Sequence, residues 1–101
     1  MDREELIRSC KESLEGTAGH IDCKVVGKYI LEYYRGTESV SLFIFPLKKG
    51  VHPWFDTIAW VHLEDYWKNV DEAYAELDSE SKIERFILWL HMTGGRVYDS
   101  S

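Results

Sequence analysis

The sequence predicts an α+β fold: an N-terminal helix, two or three antiparallel strands, and two C-terminal helices packed on one face of the sheet. Three observations predict it. Apolar residues recur at helical spacing near the start, the period changes to two from Ile21, and helical spacing returns from Asp65. With 101 residues, 45% of them hydrophobic, and only two Pro, the chain holds enough apolar area for one core, so residues 1–101 read as a single domain. Residues 96–101 are polar and read as a flexible tail, with Val97 and Tyr98 able to dock.

Residues 2–15 form the first helix, with Leu6, Ile7, Cys10 and Leu14 on one side, acids in the first turn, and Gly16 to end it. From Ile21 to Tyr33 alternate residues are apolar, which predicts a strand with one wet face carrying Asp22, Lys24, Lys28 and Glu32 and with Gly27 as a bulge. Arg35-Gly36-Thr37-Glu38 supplies a turn into a second strand, 39–47, whose Leu42-Phe43-Ile44-Phe45 is apolar on both faces and which Pro46 ends. Residues 57–63 suit a strand by residue type and a helix by spacing; the β-branched and aromatic content favours a third strand. A helix over 65–77 points Tyr66, Val70, Tyr74 and Leu77 inward. The last helix begins at a capping box, Ser81-Lys82-Ile83-Glu84, and stops at Gly94-Gly95. Its stretch Phe86–Met92 is apolar nearly all round, so it is either central or shared with a partner.

Charge is the feature that bears on function. Eight bases balance eight acids in residues 1–50, whereas residues 51–101 hold four bases, ten acids and all four Trp, so the whole net charge of −6 lies there. An acidic chain is a poor ligand for phosphate backbones or anionic membranes, because such binding needs clustered Lys and Arg. The helix-strand-strand-strand-helix order is shared with double-stranded-RNA-binding modules, but Asp and Glu stand where those carry basic residues, and the analogy is rejected on charge. The charged start and the absence of a long apolar run predict a cytoplasmic protein.

No motif carries chemistry. Cys10 and Cys23 fall on apolar faces and read as reduced core residues. His20-x-x-Cys23 has a spacing used in metal sites, yet no second close pair accompanies it, so no metal or cofactor is expected. Neither cysteine sits in a polar loop of the kind that exposes a nucleophile, and the paired carboxylates read as solvated, so no catalytic residue is assigned. Trp67 and Trp89 read as core, and Trp54, after His52-Pro53, as exposed.

The expected function is therefore binding rather than catalysis. Glu64, Asp65, Asp71, Glu72, Glu76, Asp78 and Glu80 supply a negative field, and Trp54 an anchor, for a basic surface on another macromolecule such as a nuclease or a nucleic-acid-binding protein. Immunity proteins and phage inhibitors that mimic DNA share this general size and charge. Two rivals are a homodimer or obligate subunit joined through Leu88, Trp89 and Met92, and a small-molecule binder or enzyme with an aromatic pocket using Tyr29, Tyr33 or His62.

Overall fold

Helix α1 spans Arg3–Glu15, starting where the Asp2 carboxylate accepts the Glu5 N–H at 2.8 Å, with Glu4 and Glu5 favourably placed at the positive end of the helix dipole. Cys10 and Leu14 are its fully buried residues. The computed structural model describes residues 2–37, 39–62, 70–93 and 96–98. After α1 come β1 (His20–Val26), β2 (Tyr29–Arg35), β3 (Val40–Pro46), β4 (Ala59–His62), α2 (Val70–Glu76), α3 (Glu80–Met92) and β5 (Arg96–Val97). The strands form one antiparallel sheet in chain order, β1 to β5.

This corrects the expected architecture. The sheet has five strands rather than two or three, and the two C-terminal helices expected on one face are replaced by one long helix, α3, between β4 and β5; α2 is only seven residues long. The continuous strand expected over Ile21–Tyr33 is a hairpin, turning at Gly27-Lys28. Gly27 has φ +59°, a left-handed conformation that only Gly adopts freely, and a Cβ there would collide with the Glu80 side chain. The bulge falls earlier, where the pairing register slips between His20 and Asp22. Glu32, expected on a wet face, is 2% exposed, because β2 is an inner strand covered on both sides.

At the other end, Arg96–Val97 pairs with β4, and Tyr98 N–H donates to Ile58 O at 2.8 Å, so this part of the expected tail belongs to the sheet. The N-cap of helix α3 lies two residues before the Ser81 of the expected capping box. Extended Ser79 is the N-cap, its hydroxyl accepting the Lys82 N–H at 3.3 Å. Residues 65–69 of the helix expected over 65–77, and Gly94-Gly95, lie outside the described residues.

The register divides the core in two. Leu31, Tyr33, Leu42, Ile44, Ala59 and Val61 point to one face and pack with Ile83, Phe86 and Leu90 of α3. Cys23, Ile30 and Phe45 point to the other and pack with Cys10 and Leu14 of α1 and with Val51. Each fully buried Leu, Ile or Phe contributes roughly 1.5–3 kcal/mol of transfer free energy. Both cysteines are free and buried, and among the described residues no helix is long and apolar enough to cross a membrane.

Candidate functional site

Helix α1 covers only part of its face of the sheet. Beyond it, Tyr34 of β2, Ser41 and Phe43 of β3, and Trp60 and His62 of β4 share that face by strand register. They floor a cleft of about 740 Å³, which Trp54, Thr57, Gly36, Thr37, Ser39 and Tyr98 complete. This lies within the range of small-molecule sites.

The aromatic rings are held in order. Phe43 and Trp60, paired across β3 and β4, lie nearly parallel with centroids 5.7 Å apart, and Tyr34 meets Phe43 edge-on at 5.5 Å. Trp60 Nε1–H donates to the Tyr98 hydroxyl at 2.8 Å, and the Arg96 guanidinium stacks on the Trp60 ring at 4.1 Å. Strand β5 thus fixes one wall. The opposite wall, Trp54, stands on the turn 52–57, which is pinned three ways. Asp56 accepts the His52 N–H at 2.6 Å, His52 Nδ1 accepts the Trp54 N–H at 3.1 Å, and Thr57 Oγ1 donates to Pro53 O at 3.1 Å. The Lys48 ammonium, 2.8 Å from Asp56, and the His52 N–H hold that carboxyl below its ordinary pKa.

One polar group converges on this floor. His62 Nδ1 lies 2.8 Å from Ser39 Oγ and 2.9 Å from Ser41 Oγ. When both hydroxyls donate to Nδ1, the imidazole carries its proton on Nε2 and offers it as a donor. Among the described residues the hydrogen-bond partners of His62 are these two hydroxyls, and no carboxylate contacts it. The cysteines are poorly placed for nucleophilic chemistry. Burial pushes the Cys23 thiol up to about 11, and Cys10, also raised by burial, donates its S–H to Lys48 O at 3.1 Å.

Of the residues singled out in the sequence, Trp54 is 67% exposed and stands at the cleft. Glu64 and Asp65 lie outside the described residues. The other acids serve different neighbours on the far side of the sheet or its edge. Asp71 accepts the Tyr33 hydroxyl proton at 2.9 Å, Asp78 pairs with Lys82 at 2.8 Å, and Glu80 accepts the Lys28 N–H at 2.7 Å. Glu72 and Glu76 are exposed on α2. The sheet therefore stands between Trp54 and these acids. Of the three residues proposed for an aromatic pocket, His62 lines the cleft, whereas Tyr29 and Tyr33 belong to the core on the α3 side. Leu88, Trp89 and Met92 are exposed on α3, which corrects the core reading of Trp89; Trp67 lies outside the described residues.

Tyr34, Phe43, Trp60, Ser39, Ser41 and Tyr98 were not singled out. A signal for them exists in the alternation Ser39-x-Ser41-x-Phe43 and Trp60-x-His62, which places polar and aromatic groups on one face of adjacent strands. Compared with known protein families, curated proteins and solved structures, the chain matches none.

Proposed function

We propose that the protein is a binding module whose cleft takes a small planar heteroaromatic ligand without phosphate. The observation that carries this reading is the parallel Phe43–Trp60 pair beside the Ser39–Ser41–His62 cluster: a stacking floor with one polar edge. A flat ring stacks on such a floor with about 1–3 kcal/mol per ring, and its heteroatoms meet the imidazole and hydroxyls. Among the described lining residues there is no Lys, Arg or carboxylate, and Arg96 beside them is engaged by Trp60, so the described lining offers a phosphate no unengaged cation.

Tryptophan fluorescence read during titration with free nucleosides, flavin-type heterocycles and monosaccharides tests it. A heteroaromatic compound should quench fluorescence saturably, and Trp60→Ala should weaken binding roughly 5- to 150-fold, while Trp89→Ala on α3 should leave it unchanged. Saturable binding of monosaccharides alone, or an unchanged affinity in Trp60→Ala, refutes the reading.

The charge supports a second proposal, steering toward a basic protein surface by Glu72 and Glu76, both exposed. Alanine at both positions should then weaken capture of a basic partner, by a margin that shrinks as salt rises.

A further inference from the structure

At the junction of α1 and β1, Glu15, His20 and Cys23 bring a carboxylate oxygen, an imidazole nitrogen and a sulfur within 4.8 Å of one another. In a regular strand, residues three apart point to opposite faces. The slip of register between His20 and Asp22 cancels that. His20 lies opposite Tyr34 and Cys23 opposite Glu32, so both face the α1 side, where Glu15 ends the helix. The reversal that folds the strand under the helix is specific to its residues. Thr17 N–H donates to Leu14 O at 3.0 Å and His20 N–H to Thr17 O at 3.1 Å. Gly19 has φ +94° where a Cβ would come within 2.5 Å of Arg35 O. A bulge that re-aims a side chain in this way is a common device next to functional sites.

A second observation stands behind His20. Glu32 is 2% exposed, and its carboxylate lies 2.9 Å from His20 Nδ1. A carboxylate placed so deep is costly to leave without a donor, and His20 is the donor that meets it. Holding a histidine by Nδ1–H on a buried carboxylate is how proteins orient an imidazole whose other nitrogen ligates a cation. With Nδ1 engaged, Nε2 is the nitrogen left for it.

We propose that Glu15, His20 and Cys23 bind a divalent transition-metal ion of the zinc type, with Glu32 orienting His20 from behind. Mixed sulfur, nitrogen and oxygen donors suit zinc and exclude the hard cations magnesium and calcium, which take oxygen alone. Tetrahedral bonds of about 2.0–2.3 Å set neighbouring ligand atoms roughly 3.3–3.8 Å apart, somewhat inside the 4.8 Å within which these three atoms lie. Three protein ligands leave a fourth position for water or an incoming group. Binding releases the Cys23 proton, so affinity falls as pH falls. None of the three residues lines the aromatic cleft, and the proposal does not depend on the ligand read there.

The test is titration of chelator-stripped protein with cobalt(II) alone. One equivalent should bind with a thiolate-to-cobalt charge-transfer band and the visible bands of a tetrahedral ion, and zinc should displace it. Cys23→Ser should abolish the charge-transfer band, whereas Cys10→Ser should keep it. Glu32→Gln should keep the band but weaken affinity about 10- to 100-fold. Glu15→Gln, at an exposed position that cannot unfold the core, should weaken it too. Absence of the band in the wild-type protein, its survival in Cys23→Ser, or unaltered affinity in both Glu variants overturns the assignment.

Discussion

Replacing Gly27 with Ala should destabilise the protein by about 2 kcal/mol, and the structure divides that figure into two parts. The first is local. At φ +59° an L residue is forced into the left-handed region, which costs roughly 1–2 kcal/mol, offset in part by about 0.4–1 kcal/mol because Ala restricts the unfolded chain. The second is tertiary. A Cβ at Gly27 would come within 2.1–2.4 Å of Glu80 Oε1, Cγ and Cδ, so the Glu80 side chain must leave, and its 2.7 Å hydrogen bond from Lys28 N–H is lost. A charged hydrogen bond at an exposed hairpin is worth on the order of 1 kcal/mol. Urea unfolding of the wild type, Gly27→Ala, Glu80→Ala and the double variant completes a thermodynamic cycle. The Gly27→Ala penalty should fall to about 1 kcal/mol or less once Glu80 is already Ala. In a domain of this size, 2 kcal/mol lowers the melting temperature by roughly 8–16 °C. An equal penalty in both backgrounds would refute the clash, and a negligible penalty in both would refute the hairpin.

Phe45→Ala should cost about 3–5 kcal/mol in urea unfolding, since Phe45 is fully buried between α1 and the sheet and its loss leaves a cavity. Tyr74→Phe should instead stabilise by about 1 kcal/mol. Its hydroxyl is buried without a hydrogen-bond partner among the described residues, while its ring keeps the stack on Tyr33 at 5.1 Å. Glu32, with its pKa raised by burial, binds a proton more tightly folded than unfolded. Its stability contribution is complete below the unfolded value of about 4.3 and is lost as pH rises through the folded value. In metal-free buffer, Glu32→Gln should remove that falling limb. Asp56 and Asp78, held low by Lys48 and Lys82, act with the opposite sign in both proteins, so the difference between the two unfolding curves reports Glu32; superimposable curves count against its burial.

Legibility from sequence followed the range of the determining interaction. Helix α1 was readable because Cys10 and Leu14 recur along one element and Asp2 and Gly16 bound it. Strand β3 was readable from the doubly apolar run at Leu42–Phe45 and the stop at Pro46. The hairpin was hidden because alternation resumes after Gly27, so the glycine reads as a bulge in one strand; its left-handed φ and its packing against Glu80, distant in the chain, mark a turn instead. Burial of Glu32 was hidden for a related reason: only knowing that β2 is an inner strand shows that its polar positions are covered. The cleft is readable least of all. Trp54 declared itself through its place after His52-Pro53, but Phe43 and Trp60 become neighbours only through the β3–β4 register, and Tyr98 only through β5.

The chain-order sheet has a kinetic consequence. Strands β2 to β4 each pair with the preceding strand across connections shorter than the one before β5, so their contacts can zip up early. Strand β5 must wait for residues 63–95 to be threaded past before it meets β4. Arg96 and Tyr98, which brace Trp60, arrive with it. The aromatic cleft is therefore assembled at the close of folding, and because β5 is only two residues long, it is also the part that the protein opens first when it begins to unfold.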